Sequence, residues 1–339
     1  MDFWFCLPLV AAFSTLLTGG IRRYALSHSL IDMPNDRSSH TIPTPRGGGG
    51  AIVLSFLLSL PLLSVAGLVM WSITWSLVGA GACIAILGFL DDHGHIAARW
   101  RLLCHFAASI WALVWIGGLP SLKVFGVDVD LGVAGQVVAA IYLVWLLNLY
   151  NFMDGIDGIA SVEAICVCLG GALLYALIGR EENSYIPLLL ASAVFGFLYW
   201  NFPPARIFMG DAGSGFLGII LGLLSLQAAW TAPQLLWAWL ILLGVFVVDA
   251  TFTLMRRLMR GVKVYEAHRS HAYQFASRQH GGHLPVTLAV LVINVVWLLP
   301  LAVCVALGLI DGIIGILIAY VPLLLLAIKY RAGEVETPK

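Results

Sequence analysis

The sequence is dominated by long apolar runs separated by short polar segments. A transmembrane helix needs about 20 mostly apolar residues, and in lipid its backbone must form its hydrogen bonds within the segment. Eleven runs approach this length, over residues 3–21, 48–68, 71–90, 102–119, 133–150, 160–179, 185–200, 215–231, 234–254, 285–307 and 311–328. The chain is therefore predicted to be an all-α, polytopic integral membrane protein with about 11 transmembrane helices, forming a single domain over residues 1–339.

The composition supports the same class. Hydrophobic residues make up 60% of the chain and charged residues only 11%, whereas a soluble domain has about a quarter charged residues. The net charge of zero argues against a nucleic-acid-binding protein, which needs a basic face. The six cysteines lie in apolar runs and are interpreted as small hydrophobic residues. Because a charge in hydrocarbon is costly, the few polar residues indicate where function lies.

The basic residues divide unequally between the two sets of loops. One set, with the C-terminal tail, contains 16 Lys and Arg residues, and the other contains only Lys123 and Arg180. The positive-inside rule makes the first set cytoplasmic. The N-terminus is then predicted to be outside and the C-terminus cytoplasmic, with residues 255–284 as a large cytoplasmic loop. Eight of the nine histidines also lie in these loops, so any chemistry is expected at the cytoplasmic face.

The first two cytoplasmic loops contain clustered charges. Arg46 precedes the glycine run 47–50, whose backbone N–H groups could bind phosphate at a helix start, although Pro and Gly also serve simply to reverse the chain. In the second loop, Asp91 and Asp92 are followed by two arginines. Adjacent carboxylates repel each other unless a cation neutralises them. They are interpreted as a metal-binding or proton-accepting pair, with salt bridges to the arginines as the structural alternative.

The third segment, NLYNFMDGIDG, spaces its polar residues along one side of a helix. Asn148, Asn151 and Asp154 recur every three residues, and Asp157 follows. Oxygen donors of this kind suit a hard cation such as Mg²⁺, and they can also bind the edge of a nucleobase. The segment is the strongest indication of a ligand site in the sequence.

The fourth segment, WNFPPARIFMGDAGSG, places Asp211 beside glycines and three residues after Phe208. The acid could hold a metal ion while the aromatic ring stacks on a base. The structural alternative is a helix N-cap with glycines for close packing.

The fifth loop is the most basic and contains His268 and His271, with Arg269 between them. No third ligand stands at zinc spacing, so these residues are interpreted as meeting phosphate, and a solvated basic loop attracted to anionic lipid is the alternative. Asp249 lies within the ninth apolar run, and an intramembrane acid is functional by default. It could support the site, take part directly, or pair with Arg256.

The polar segments follow one another as DMPNDRSSHTIPTPRGGG, DDHGHIAARWR, NLYNFMDGIDGIAS, NFPPARIFMGDAGSGFLG, VVDATFTLMRR and HRSHAYQ. In this order they resemble the polyprenyl-phosphate N-acetylhexosamine-1-phosphate transferases, the WecA/MraY-like glycosyltransferase family 4. The resemblance extends from about Arg22 to Gln274. The variants SSHTIPTPRGGG and HRSHAYQ are most similar to the WbpL-like, O-antigen-initiating branch.

The resemblance implies an enzyme that uses a UDP-N-acetylaminosugar and undecaprenyl phosphate to form undecaprenyl-diphosphate sugar and UMP. It implies Mg²⁺ as cofactor, with Mn²⁺ as a substitute, and a location in the bacterial inner membrane. The implied pathway is lipid-linked glycan synthesis for lipopolysaccharide O-antigen or another cell-envelope polysaccharide. The expected partners are the two substrates and the lipid bilayer, and a homodimer is compatible with the sequence. A transporter is the alternative, but transporters place ionisable residues near the midplane, often between repeated halves.

The resemblance also implies roles for individual residues. Two departures are that His95 stands where many relatives have a third acid, and that the histidine motif is HRSH. The implied catalytic residues are Asp91, Asp92, His268 and His271, the implied metal ligands are Asn151 and Asp211, and the substrate-binding residues are Arg46, Asn148, Asp154, Asp157, Asn201, Phe208 and Arg269.

Overall fold

The computed structural model describes residues 3–34, 39–40, 42–94, 96–261 and 269–334. Within these ranges the chain is α-helical except for loops, short 3₁₀ and π-helical segments and two small β-hairpins. The helices are α1 Phe3–Ser27, α2 Gly49–Val65, α3 Trp71–His93, α4 Ala98–Ile116, α5 Gly132–Met153, α6 Ile159–Leu177, α7 Tyr185–Asn201, α8 Asp211–Thr231, α9 Gln234–Leu242, α10 Gly244–Met259, α11 Ala272–Gln279, α12 His283–Val292, α13 Leu299–Ala306 and α14 Gly312–Lys329.

The chain is an all-α polytopic membrane protein, as the sequence predicts. Each of the eleven apolar runs coincides with a helix or a helix pair. In the described ranges, eight helical segments are long and apolar enough to cross a membrane, or nine if one bent pair is counted as a single span. α2, with 17 residues, and α4, whose first turn carries two arginines, are not among them. The total of 11 transmembrane helices and the orientation stay predictions.

The ninth run, predicted as one span over 234–254, is two helices. α9 and α10 meet at Leu243 with a bend of 74°. Gly244 begins α10 in a crowded position, where a Cβ would lie 3.1 Å from the ring of Tyr320. Asp249 lies on α10, after this bend, and its side chain contacts the start of α11.

α8 is the central helix. Its most apolar stretch is 94% buried, and it packs against α2, α3, α5 and α9. Gly218 allows the close approach of α5, because a Cβ there would lie 2.7 Å from the Cα of Leu147. Since α8 begins at Asp211, that carboxylate lies at the centre of one end of the helix bundle.

The two hairpins lie at opposite ends of the helices. β1 (Ile31–Asp32) pairs with β2 (Thr44–Pro45) in antiparallel register near the start of α8. β3 (Leu122–Val124) pairs with β4 (Val127–Val129) between α4 and α5, at the other end. A 3₁₀ turn, Glu181–Ser184, precedes α7. A π-helical segment, Ile293–Leu298, joins α12 to α13.

Candidate active site

A cleft of about 440 Å³ opens where the polar loops meet at the Asp211 end of α8. Residues from segments that are far apart in the sequence line it, and they include eight of the predicted site residues. These eight are Arg46, Asp92, Asn151, Asp154, Asp157, Asn201, Phe208 and Asp211. The polar segments that the sequence singles out therefore converge on one site.

Close helix packing brings the acidic residues together. A Cβ on Gly88 of α3 would lie 2.5 Å from the backbone N of Ala212, so only glycine lets α3 approach the start of α8 this closely. Gly88 lies one turn before Asp92, and this approach sets the Asp92 side chain beside the backbone of Asp211. The positions of the two carboxylates therefore depend on a helix contact that excludes a side chain.

Three of the four N–H groups in the glycine run donate to backbone carbonyls, and two of these bonds join the run to the segment before α8. Gly48 N donates to Phe208 O at 2.9 Å, and Gly49 N donates to Met209 O at 2.8 Å. A Cβ on Gly49 would also lie 2.4 Å from the Cα of Gly213. The structure gives these glycines a role that neither interpretation of the run included, which is close packing: they hold the start of α2 against the start of α8.

Asn151 and Asp211 are in direct contact. The Asn151 Nδ2 donates to Asp211 Oδ1 at 3.1 Å and to Ser214 Oγ at 3.0 Å. These hydrogen bonds join α5 to the first turn of α8 and leave carboxylate and amide oxygens at the wall of the cleft. Ser214, which the sequence analysis did not select as a site residue, completes this oxygen-rich group.

The cleft accumulates negative charge. Burial and the charges of Asp211, Asp92 and Asp157 raise the pKa of Asp154 well above its usual value. Arg46 brings a compensating charge, since its guanidinium hydrogen-bonds to the Asp92 carbonyl and lies 3.7 Å from Asp92 Oδ1. A bound cation would relieve the remaining repulsion among the carboxylates.

The donor set fits Mg²⁺ better than a metal that needs a complete protein cage. Among the described residues, no three His, Cys, Asp or Glu side chains are grouped closely enough to enclose a metal ion. Mg²⁺ is usually held by one or two carboxylates together with water and substrate phosphates. Asp211, with the amide oxygen of Asn151, is suited to such an open site, and Asp92 and Asp154 line the same cleft.

The side chains of Asp157 and Asn201 form hydrogen bonds with the segments around the cleft. Asp157 Oδ2 accepts from Ala205 N at 2.9 Å, and its Oδ1 lies 3.0 Å from the His283 Nδ1. Asn201 is 3% exposed; its Oδ1 accepts from Gly158 N and its Nδ2 donates to Ile207 O, both at 3.0 Å. These contacts give both residues a bracing role, and their predicted substrate contacts stay predictions.

Phe208 is half-buried at the wall of the cleft. Its ring meets His40 edge to face, with centroids 4.8 Å apart, and its backbone N donates to Pro45 O at 2.8 Å. β2 and the start of α2 therefore fix the Phe208 backbone. A ring held in this way can stack on a planar ligand without first being ordered.

Asp91 and Asn148 lie outside the cleft, in a small neighbouring cavity of about 20 Å³. Asp91 forms an ion pair with Arg101 at 2.5 Å and accepts a hydrogen bond from Ile96 N at 2.9 Å. The Asn148 Nδ2 lies 3.3 Å from the His105 Nδ1. Asn151 and Asp211 line both cavities, so Asp91 and Asn148 lie on the other side of the predicted metal-binding pair.

His271 does not line the cleft. It is 3% exposed, stands at the N-cap of α11, and its Nδ1 lies 3.3 Å from Asp249 Oδ1. The Asp249 carboxylate also accepts from Ala272 N and Tyr273 N, both at 3.0 Å. The predicted catalytic role of His271 thus finds no support in the geometry, because the side chain is enclosed in a helix cap.

The same contacts decide between the interpretations of Asp249. It supports α11 and does not pair with Arg256, whose guanidinium binds Glu334 at 2.8 Å. α11 in turn contacts the last turn of α5, since Tyr273 Oη donates to Phe152 O at 3.0 Å, and Gln274 of α11 lines the cleft. Asp249 is therefore a positioning residue for α11.

The other predicted residues of the basic loop are His268 and Arg269. His268 lies outside the described residues, and so does His95. Arg269 is described, but it is not among the residues that line the cleft; its carbonyl accepts from Arg278 Nη2 at 3.3 Å. The predicted phosphate contact of Arg269 is therefore not part of this arrangement.

His283 is the main residue that sequence reasoning missed. It lines the cleft, its Nε2 lies 3.0 Å from Ser39 O, and its Nδ1 meets Asp157. One turn later on α12, Thr287 Oγ1 donates to Asp157 O at 2.8 Å. The available signal was a histidine at the start of an apolar run, but the sequence does not show that α12 packs beside the Asp157 loop.

Comparison with known proteins gives a consistent result. The family model described as glycosyl transferase family 4 matches residues 74–229. A decaprenyl-phosphate N-acetylglucosaminephosphotransferase of Mycobacterium tuberculosis is 32% identical over 83% of this chain and 78% of its own length. A probable undecaprenyl-phosphate N-acetylglucosaminyl 1-phosphate transferase of Bacillus subtilis is 28% identical over 76% and 72%. A phospho-N-acetylmuramoyl-pentapeptide-transferase of Moorella thermoacetica is 32% identical but covers only 51% of this chain and 57% of its own length.

Proposed function

The chain belongs to glycosyl transferase family 4, and we propose that it transfers an N-acetylaminosugar-1-phosphate from a UDP-sugar to undecaprenyl phosphate. The products are undecaprenyl-diphosphate sugar and UMP. The relatives named for polyprenyl-phosphate N-acetylglucosaminyl transfer cover most of this chain, which supports an amino sugar as the transferred group. The reaction is the first step in the synthesis of a lipid-linked glycan. The motifs SSHTIPTPRGGG and HRSHAYQ favour O-antigen synthesis as the pathway.

One observation carries the proposal: Asp92, Asn151, Asp154 and Asp211 converge on a single cleft beside Arg46. Such a group of oxygen donors suits a nucleotide-sugar diphosphate accompanied by a divalent cation. A transporter is not favoured, because the acids lie together at one end of the helices, whereas transporters place their ionisable residues near the midplane.

Asp211 and Asn151 would hold Mg²⁺, for which Mn²⁺ can substitute. When bound, the ion neutralises charge on the donor diphosphate and on the departing UMP. Arg46 supplies further positive charge at the cleft, where its pairing with Asp92 keeps the guanidinium in place.

The uridine belongs beside Phe208 and the Asp154 loop. The Phe208 ring offers a stacking face, and Asp154 offers acceptor oxygens for a base N–H or a ribose hydroxyl. Gly155 keeps this loop close to α11, because a Cβ there would lie 2.1 Å from Tyr273 Oη. The loop backbone can therefore contact the nucleotide only while α11 stays in position.

The phosphate of the lipid acceptor is the nucleophile. With a second pKa of roughly 6 it is largely ionised at neutral pH, so the reaction does not require a strong base. One of its oxygens forms a bond to the phosphorus that carries the sugar, while the bond from that phosphorus to the UMP oxygen breaks. Because Asp91 is paired with Arg101, its role here is to orient this arginine next to Asp211, where the guanidinium can meet an incoming phosphate.

We further propose that the cleft faces the cytoplasm at the bacterial inner membrane, on the basis of the unequal distribution of basic residues. A reporter fused after Lys339 should be cytoplasmic, and one inserted at Glu181 should be periplasmic. Both reporters on the same side would contradict this orientation.

The reaction is tested with the purified protein, undecaprenyl phosphate, Mg²⁺ and a panel of UDP-sugars. UMP release and a lipid-linked product are expected only when the lipid acceptor is present, and chelation of the metal should stop both. UMP release without the acceptor would instead indicate a hydrolase. No turnover with any UDP-amino sugar, from protein that still binds uridine nucleotides, would contradict the proposed transfer.

A further inference from the structure

A basic pocket that could bind an anion lies where α11 meets the end of α14. This pocket has a volume of about 320 Å³ and is lined by Phe275, Arg278, Gln279, Lys329, Tyr330 and Arg331. Its three cations lie beside two aromatic rings, with the Arg278 guanidinium 4.6 Å from the ring of Phe275. Glu334 offsets part of the charge, 4.0 Å from the Arg331 Nε. The pocket therefore keeps a net positive charge.

An apolar groove of about 330 Å³ adjoins the basic pocket. α10, α11, α12 and α14 form it, and most of its lining is Ala, Val, Leu and Ile side chains. Tyr330 lines both cavities, and its hydroxyl lies 3.1 Å from the His280 Nε2. A basic pocket and an apolar groove thus meet at one residue near the end of a membrane helix.

The two cavities are separate from the cleft because they use other faces of α11. Gln274 lines the cleft, Tyr273 and Ala276 line the groove, and Phe275 and Arg278 line the basic pocket. Among the residues that the structure describes, none lines both the cleft and the basic pocket. A phosphate bound beside Lys329 is therefore not in contact with the residues that bind the metal and the donor, so its role is not that of a reacting group.

We propose that a diacyl phospholipid with an anionic headgroup binds here, its phosphate in the basic pocket and one acyl chain in the apolar groove. The complementary charge selects an anionic headgroup, since basic side chains at the membrane surface each contribute about 1 kcal/mol to anionic-lipid binding. The groove selects a ligand with an attached hydrocarbon chain. The lipid packs against α11 beside the Asp249 cap, because Asp249 and Tyr273 also line the groove.

The test is a lipid titration of the purified full-length protein in neutral detergent, followed by native mass spectrometry. Phosphatidylglycerol should bind more tightly than phosphatidylcholine. Lys329→Gln and Arg331→Gln should each weaken phosphatidylglycerol binding about fivefold, which corresponds to roughly 1 kcal/mol per charge. Arg23→Gln is the matched control, because Arg23 is an exposed basic residue of α1 that lines neither cavity. It should leave binding unchanged.

A second pair of variants tests the groove. Ala289 is exposed and lines the groove, whereas its neighbour Leu288 is exposed but does not line it. Ala289→Trp should therefore reduce lipid retention, and Leu288→Trp should not. Since both changes place a Trp on α12 at the protein surface, a difference between them reports on the groove.

Three results would overturn the proposal. The first is equal binding of the two phospholipids by the unaltered protein, which requires no variant to fold. The second is an equal effect of the Lys329, Arg331 and Arg23 variants. The third is displacement of phosphatidylglycerol by undecaprenyl phosphate at matched concentration, which would make the groove part of the acceptor site. Each readout is binding, so these results are independent of turnover.

Discussion

The two ends of the helix bundle both carry acidic side chains but use them differently. At the β3–β4 end, the acids form local contacts: Asp130 Oδ1 accepts from Gly132 N at 2.8 Å, and Asp311 Oδ1 accepts from Ile313 N at 2.9 Å. At the cleft end, partners are far apart in the sequence, as in the contacts of Asp211 with Asn151 and of Asp157 with His283. A local cap satisfies its carboxylate, whereas several carboxylates brought together leave negative charge for a ligand to neutralise.

The largest effect expected from this comparison is on Asp211. Asp211→Asn preserves the shape of the side chain but removes a charge that would neutralise a cation, and several kcal/mol of transition-state stabilisation depend on such a metal ion. UMP release should fall at least about 100-fold, since each tenfold loss corresponds to about 1.4 kcal/mol. Asp128→Asn, on the exposed β4 strand at the other end, is the control and should be close to fully active. Near-full activity of the Asp211 variant at saturating Mg²⁺ would limit Asp211 to a structural role in the first turn of α8.

A smaller effect is expected for the aromatic residue of the cleft. Phe208→Ala should weaken UDP-sugar binding roughly 5- to 150-fold, because stacking of a base on an aromatic ring contributes about 1 to 3 kcal/mol. Undecaprenyl phosphate affinity should change little. Phe125→Ala, at an exposed position of the other hairpin, should alter neither affinity. Separate titrations measure the two ligands, and an equal loss of both would mean that Phe208 supports the fold of the site.

The third prediction compares two acids that cap helices. Asp249→Ala at α11 and Asp311→Ala at α14 should each lower the free energy of unfolding by about 0.5 to 2 kcal/mol, because each change removes a side-chain acceptor from the start of a helix. Thermal unfolding in detergent measures this loss. Only the Asp249 variant should also slow UMP release, because α11 contacts the Asp154 loop and the start of α14 does not approach the cleft. Equal activity of the two variants would remove the positioning role from Asp249.

The smallest effect is expected for a buried hydrogen-bonded pair between Glu163 of α6 and Asn294 of the π-helical segment. The Asn294 Nδ2 donates to Glu163 Oε2 at 2.7 Å, while Glu163 Oε1 and Asn294 Oδ1 have no hydrogen-bond partner. Glu163→Ala should lower the free energy of unfolding by about 0.6 to 2 kcal/mol, the range for polar pairs between membrane helices. Glu163→Gln should not, because its amide can accept from Asn294 and donate to the partnerless oxygen. A larger loss for Gln than for Ala, measured by thermal unfolding, would contradict this account.

The identities of most residues in the candidate site were predictable from the sequence, but their arrangement in space was not. Eight of the predicted residues line the cleft. In so apolar a chain, polar residues are placed mainly in the loops because they are costly inside the membrane. Asp91 and Asp92 show the limit of this reasoning. They are adjacent in the sequence, but successive residues of a helix point about 100° apart, so one lines the small cavity and the other lines the cleft.

The sequence by itself determined that the chain is an all-α membrane protein, since apolar runs of this length are stable only as helices in lipid. It also indicated which segments form the candidate site, because each contains oxygen donors that a purely structural loop does not need. Only the tertiary structure decided that His271 is enclosed in the Asp249 cap while His283 reaches the cleft. The physical reason is that these placements depend on contacts between residues distant along the chain. α10 follows the 74° bend and contacts α11 through Asp249, and α12 packs beside Asp157.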